Sequence, residues 1–173
     1  WSCFSNHSAD VREVSQGETI AIGDLILNVL HPDRGTHYAH TNDESLVIKI
    51  TSQHEEGTLL VCGDAEEDAL KAVLHAYPHI QCDVLELPHH GSWNSVAAEF
   101  VRRSNPYAII QSTGSRRFRR DRWKTVLEHR DRYVTCRDGA SVVELSDVLL
   151  ARKNEVPPGI HTHHREQAGT TPP

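Results

Sequence analysis

The sequence has no methionine, few aromatic residues and no long apolar run. Aromatic side chains make up 6% of the 173 residues, and the mean hydropathy is -0.50. A membrane-spanning helix needs about 20 consecutive apolar residues, and no segment of this chain approaches that length. A hydrophobic content of 38% is still enough for one domain with its own core. Because the chain begins with Trp1 and lacks methionine, we expect it to be a piece of a longer protein.

The four cysteines lack the C-x-x-C spacing that zinc-thiolate and redox sites use. Cys62 and Cys82 lie inside apolar runs, where a cysteine usually behaves as a small buried hydrophobic residue. The spacing alone identifies no disulfide. A cysteine-based zinc cluster is therefore not expected.

Positive charge is scarce outside one segment of an otherwise acidic chain. The net charge is -6, yet the segment between Val101 and Arg137 holds eleven of the 18 basic residues and only three of the 24 acidic ones. Arginine binds phosphate bidentately, and aromatic rings such as Phe118 and Trp123 can stack on bases. The segment therefore predicts a phosphate-binding surface, with a solvated turn as the alternative. Its five clustered arginines are Arg116, Arg117, Arg119, Arg120 and Arg122.

Strand and helix patterns alternate from about residue 58 onward, which is typical of a layered α/β arrangement. Predicted strands cover residues 25–32, 45–52, 58–63, 82–88 and 107–113. Predicted helices cover residues 65–77, 95–104 and 121–132. Asp64 and Ser95 are the candidate N-caps of the first two helices. We expect a hairpin over residues 133–145 that turns at Asp138-Gly139.

The chain divides into a domain over residues 1–150 and a tail over residues 151–173. The tail is rich in proline, threonine and glycine and has no hydrophobic periodicity. We therefore expect it to be disordered.

Polar side chains follow three successive predicted strands. Asp64 follows "TLLVCG", the pair His89-His90 follows "CDVLELP", and Ser112-Thr113-Gly114 follows "YAIIQ". Ligand sites in α/β sheets lie beyond the carboxyl ends of strands. Carboxylate and imidazole groups are ligands for Zn²⁺ or Mn²⁺, and two such ions can clamp a phosphodiester. A lone aspartate here would be a helix cap, but two imidazoles at a strand end favour a metal site.

These motifs together resemble the metallo-β-lactamase-fold domain of the ComEC/Rec2 DNA-internalisation (competence) family. The similarity covers about residues 42–145. It includes "NDESLVIKI", "TLLVCGDAEED", "LPHHGS" and "VTCRDGA" in the order that the family has them. The resemblance implies an α/β fold, a metallo-β-lactamase-like αββα sandwich, of which this chain is the C-terminal half. Half of such a sandwich leaves one sheet face uncovered.

The resemblance also implies roles for individual residues. Asp64, His89 and His90 would be the catalytic and metal-binding residues, with Asp64 bridging two Zn or Mn ions. Either histidine could be the ligand, the other touching substrate, and His89 is favoured because it is nearer the strand end. Gly91 would let the backbone approach the site. Ser92 would contact a phosphate or cap the next helix.

Two departures from the family's pattern stand out. The principal metal motif HxHxDH is absent and would lie upstream of Trp1. Arg119-Arg120-Asp121 stands where relatives have Gly-His-Pro, so a histidine that contributes in relatives is lost or replaced.

The leading expectation is a metal-dependent DNA phosphodiesterase that acts on single-stranded DNA during uptake. The parent protein would then carry a membrane channel domain and lie in the bacterial inner membrane, with this domain soluble. Two alternatives stay open. One is a free-standing soluble metallo-hydrolase of small esters or lactones, and the other is a catalytically lapsed nucleic-acid-binding module. The oligomeric state is not predicted.

Overall fold

A seven-stranded mixed sheet forms the centre of the protein in a computed structural model, which describes residues 11–54, 57–142, 144 and 161–163. The strands follow one another across the sheet in chain order. The strands are β1 (Thr19–Ile22), β2 (Leu25–His31), β3 (Val47–Ser52), β4 (Thr58–Val61), β5 (Val84–Glu86), β6 (Ala108–Gln111) and β7 (Asp131–Val134). Strands β1 to β4 pair antiparallel, and β4 to β7 pair parallel. The predicted α/β class is thereby confirmed.

Two helices connect the parallel strands and cover the same region of the sheet. Helix α1 (Glu67–Ala76) links β4 to β5, and α2 (Ser95–Ser104) links β5 to β6. The two helices contact each other. Within the described ranges, no helix combines the length and the hydrophobicity that a transmembrane crossing requires.

The core lies between these helices and the sheet. Sheet residues Leu60, Leu85 and Ile109 are fully buried against helix residues such as Val73 and Phe100. Burial of each such side chain contributes about 1.5–3 kcal/mol. The same core includes Cys62 and Cys82, as predicted, and the late residues Trp123 and Leu127.

The opposite face of the sheet is also apolar. Ile48 pairs across the strands with Val61, and Ile50 pairs with Leu59. All four side chains are partly exposed, whereas Leu60 between them is buried on the helix-covered face. A sheet with two apolar faces is typical of a layered domain in which both faces pack.

The N-terminus of α1 is capped from a distant part of the chain, and the prediction of Asp64 as its cap is wrong. The N-cap position is Glu66, whose side chain makes no capping bond. Asp43 instead accepts hydrogen bonds from the amides of Glu66 (3.1 Å) and Ala69 (3.0 Å). Asp43 is 1% exposed and lies in a 3-10 turn over Thr41–Glu44. A carboxylate at this position also interacts favourably with the helix dipole.

Replacing Asp43 with alanine is expected to lower the free energy of unfolding by about 2 kcal/mol, because two buried amides lose their acceptor. Urea unfolding followed by circular dichroism measures the loss. Asp24→Ala is the matched control, since the side chain of Asp24 is 77% exposed. An equal loss in both variants would contradict the capping role.

Helix α2 is capped locally, one residue before the predicted position. The side chain of Asn94 accepts a hydrogen bond from the amide of Ala97 at 2.6 Å. Ser95, the predicted cap, is the first residue of the helix. Asn105 ends the helix in the left-handed conformation, with φ 43°.

The predicted helix over residues 121–132 is wrong. Residues 124–129 form turns, and β7 begins at Asp131. The Asp121 side chain accepts from the amide of Trp123 (3.0 Å), and the Trp123 side chain is buried in the core. Tertiary burial of Trp123 and pairing of β7 with β6 therefore override the local helix preference.

The predicted hairpin over residues 133–145 is also wrong. A one-turn helix over Thr135–Asp138 follows β7 directly. Strand β8 (Ala140–Val142) pairs antiparallel with β9 (His161–His163) in a separate two-stranded sheet. The prediction of a disordered tail therefore fails at residues 161–163, and the remainder of residues 151–173 lies outside the described residues.

Candidate metal and phosphate site

The C-terminal ends of β4 and β5 meet in space, as their parallel pairing requires. The amide of His89 donates a hydrogen bond to the carbonyl of Gly63 at 2.9 Å. Glu86, the last residue of β5, accepts from the amides of Cys62 (3.2 Å) and Gly63 (3.4 Å). The segment that carries Asp64 is therefore fixed against the segment that carries the two histidines.

Two carboxylate–imidazole pairs form where these segments meet. Oδ1 of Asp64 lies 3.2 Å from Nε2 of His90, and Oε1 of Glu66 lies 3.1 Å from Nδ1 of His89. The Glu66 oxygen also accepts a hydrogen bond from Asn42 at 2.8 Å. Sequence reasoning missed Glu66 and Asn42. Both lie in quoted motifs, but only the folded chain brings them to His89.

The hydrogen bonding of His90 determines which of its ring nitrogens carries a proton. Its Nδ1 lies 2.9 Å from the carbonyl oxygen of Ser112. A carbonyl only accepts, so Nδ1 must be the protonated nitrogen. In the neutral ring, Nε2 then presents a lone pair to the carboxylate of Asp64. Two acceptors at this distance repel each other unless a proton or a metal ion lies between them.

The Asp64–His90 pair has the spacing of two ligands on one metal ion. Ligand atoms about 2.1 Å from a tetrahedral ion lie about 3.4 Å apart, close to the 3.2 Å found here. A metal-binding imidazole also typically donates its other N–H to a carbonyl, as His90 does to Ser112. Across residues 11–54 and 57–142, however, no three His, Cys, Asp or Glu side chains form a metal cluster. Asp64 and His90 therefore fit two ligand positions of a metal site, and the described residues provide no third.

Residues 89–91, which we term the histidine turn, have an unusual backbone. His89, His90 and Gly91 all have positive φ angles, of 45°, 55° and 80°. The left-handed region costs about 1–2 kcal/mol at each non-glycine residue, so other interactions must hold this conformation. Each of the three carbonyls accepts a hydrogen bond from a distant side chain. The donors are Arg117 to His89 (2.7 Å), Gln111 to His90 (3.0 Å) and Trp123 to Gly91 (2.8 Å).

A groove of about 890 Å³ opens between the histidine turn, the end of β6 and residues 116–122, which we term the arginine segment. His90 and Ser92 line one side of it, whereas Asp64 and His89 are not among its lining residues. Four of the five predicted arginines also line it, and Arg119 does not. The four are Arg116, Arg117, Arg120 and Arg122.

The arginines differ in how they are held. Arg117 is tied to the histidine turn, and the guanidinium of Arg122 lies 5.2 Å from the ring centre of Trp93. The side chains of Arg116, Arg119 and Arg120 make no hydrogen bond or ion pair with any described residue. Because Arg116 and Arg120 also line the groove, they are best placed to bind an anion there.

The aromatic residues in and beside this segment do not serve as predicted. Trp123 is 1% exposed, so it cannot stack on a base. Phe118 lies under two guanidinium groups, with Arg132 at 5.5 Å and Arg137 at 5.9 Å from its ring centre. Trp123 is therefore a core residue, and Phe118 is covered by two cations instead of offering an open stacking surface.

No family model matches the chain. The chain is similar to ComE operon protein 3 of Bacillus subtilis (strain 168), with 34% identity over 106 residues. The matched region is 60% of this chain and 13% of that protein. The chain thus spans about an eighth of the length of this curated relative.

Proposed function

We propose that this chain is part of a metal-dependent nuclease that hydrolyses phosphodiester bonds of single-stranded DNA during DNA uptake. The proposal depends chiefly on one observation. His90, with its Nδ1–H directed at Ser112, presents Nε2 to Asp64 beside a groove lined by arginines. The similarity to ComE operon protein 3 supports a role in competence.

The fold we propose is the metallo-β-lactamase-like αββα sandwich. The chain would supply one helix layer and one sheet, which α1, α2 and the seven strands represent. The apolar residues Ile48, Ile50, Leu59 and Val61 on the other face would then pack against the second half.

We propose that Asp64 and His90 contribute ligands to one or two Zn or Mn ions. Further ligands would come from outside the described residues. Such ions, when bound, lower the pKa of a water to about 7 and so provide a nucleophile at neutral pH. We favour His90 over His89 as the ligand, because Nε2 of His90 lies 3.2 Å from Asp64.

The other residues bind and orient the substrate. Arg116 and Arg120 hold phosphates in the groove, and Arg122, stacked on Trp93, extends this surface. Glu66 holds Nδ1 of His89, which leaves Nε2 as the atom that can exchange a proton with the phosphodiester. Ser92, at the edge of the groove, contacts a phosphate oxygen.

We propose that the rest of the parent protein includes a membrane channel domain in the bacterial inner membrane. DNA would reach the groove as a single strand. Fractionation of cells that express a tagged full-length protein tests this location, and recovery only in the cytosol would contradict it.

A binding module without catalysis is the second candidate. It is favoured by the lack of a third metal ligand among the described residues and by Arg119-Arg120-Asp121 in place of Gly-His-Pro. Salt-dependent binding of single strands with no cleavage in the presence of Zn²⁺ or Mn²⁺ would identify it.

Metal analysis of the full-length protein is the direct test of the metal site. Close to two Zn or Mn ions per chain, together with cleavage of single-stranded DNA, is the expected result. Protein that binds neither metal at micromolar concentration would overturn the nuclease proposal.

A further inference from the structure

Gln111 links the histidine turn to a partly buried ion pair behind it. The side chain of Gln111 is 2% exposed, at the end of β6. Its Nε2 donates to the carbonyl of His90 at 3.0 Å, and its Oε1 accepts from Nε of Arg132 at 3.1 Å and also from Nη2. Arg132 in turn contacts both carboxylate oxygens of Asp121, at 2.6 and 2.9 Å.

The chemistry of Arg132 fixes the orientation of the Gln111 amide. A guanidinium has only donors, so the group that faces it must be the amide oxygen. The amide NH₂ must then point away from Arg132, toward the carbonyl of His90. Both carboxylate oxygens of Asp121 contact Arg132, and this two-oxygen contact fixes the orientation of the guanidinium group. The donor that reaches His90 is therefore set by residues of β7 and of the arginine segment.

The absence of a side chain at Gly91 leaves the space that the Gln111 side chain occupies. A Cβ atom at position 91 would lie 2.2 Å from Nε2 and 2.8 Å from Cδ of Gln111, far inside van der Waals contact. The φ angle of Gly91 is also +80°, a conformation that glycine adopts readily. Gln111 and Gly91 are thus complementary, and any side chain at position 91 would displace Gln111 or the turn.

We infer that Gln111, held by Arg132, is a positioning residue that directs the ring of His90 toward Asp64. The hydrogen bond to the His90 carbonyl stabilises the left-handed backbone, and this backbone places Nδ1 against Ser112 and Nε2 against Asp64. The consequence for metal binding and cleavage rests on the proposed function. The orientation of the ring does not.

Gln111→Glu tests the inference with a minimal change. The substitution keeps an oxygen for Arg132 but replaces the amide donor with a second acceptor, which faces the His90 carbonyl. Nitrogen and proton chemical shifts of the His90 ring report whether Nδ1 carries its hydrogen-bonded proton in metal-free protein, whatever the state of Nε2. We expect a fixed, slowly exchanging Nδ1–H in the natural protein and its loss in most molecules of Gln111→Glu. Zn²⁺ affinity by calorimetry should fall about 10- to 100-fold, as for other lost supports of metal ligands.

Two further variants keep the test decisive if Gln111→Glu folds poorly. Gly91→Ala displaces Gln111 from the other side and should give the same ring signature. Arg132→Lys keeps the positive charge, but an ammonium group cannot contact Gln111 and Asp121 at the same time as a guanidinium does. We expect it to change the His90 ring signature less than Gln111→Glu does. Gln81→Glu, at an exposed position, is the matched control and should change neither the ring signature nor the affinity.

The outcomes separate this inference from the proposed function. A natural protein without metal but with the Nδ1–H form, lost in Gln111→Glu, would reject the nuclease and retain the positioning role. Conversely, an unchanged ring signature with a Zn²⁺ affinity within twofold of the natural protein would overturn the inference. A fall in thermal stability alone, with the ring signature unchanged, would also overturn it.

Discussion

Replacing Asp64 with alanine is expected to remove metal from the strand-end site and to lower single-strand cleavage by about a thousandfold. The carboxylate lies 3.2 Å from Nε2 of His90, and these two groups are the metal ligands that we propose among the described residues. Bound metal contributes several kcal/mol to transition-state stabilisation, and each 1.36 kcal/mol is tenfold in rate. Metal content by mass spectrometry and cleavage of a labelled single strand, both on the full-length protein, measure the effect.

Asp68→Ala is the matched control for this substitution. Asp68 is an exposed carboxylate of α1, 3.7 Å from Lys71, and makes no contact with either histidine. Its loss should leave metal content and cleavage unchanged. If Asp64→Ala retained both metal and activity, the metal site would have to lie elsewhere. If it lost activity but kept its metal, Asp64 would act on the substrate and not on the ion.

The double variant Arg116→Ala/Arg120→Ala is expected to weaken single-stranded DNA binding at least about tenfold. Both side chains line the groove, and neither makes a hydrogen bond or ion pair with a described residue. Each lost phosphate contact should reduce the slope of log affinity against log salt by about 0.7, so we expect the slope to fall by about 1.4. Fluorescence anisotropy over a series of salt concentrations gives both values.

Arg102→Ala/Arg103→Ala is the control for the arginine pair. It removes the same charge from α2, where Arg102 contacts Glu99 and Arg103 donates to the carbonyl of Pro78. A small drop in affinity with an unchanged slope is expected, because long-range attraction is screened by salt. Equal slopes in both double variants would show that the groove binds no phosphate. Because contacts to the DNA phosphate backbone carry no sequence information, Arg116→Ala/Arg120→Ala should lose the same affinity for random and for defined DNA sequences.

The strand pattern and the meeting of the strand ends could be predicted from sequence because both follow from local rules. Short apolar runs bounded by turn residues predicted β2 to β6, and all five are present. Parallel neighbours must end at one edge of the sheet. Asp64 and the histidines therefore had to come close, and Asp64 and His90 do so at 3.2 Å.

The sequence also identified the five clustered arginines, but neither the groove that four of them line nor the role of each. Arg116 and Arg120 are available to an anion, whereas Arg117 supports the backbone of His89. Trp123 reads as an exposed aromatic beside basic residues, yet it is buried. The residue types of a segment indicate which ligands it could bind. Whether a side chain faces solvent depends on which distant core has room for it.

By itself, then, the sequence determined the positions of β2 to β6, the α/β class and the residue types at the strand ends, since these depend on periodicity over a few residues. Only the tertiary structure decided that Asp43 caps α1, that Glu66 faces His89, and that Gln111 supports His90. Each of these contacts joins positions more than 20 residues apart. No local pattern encodes such a pair, because it forms only when the sheet brings the two segments together.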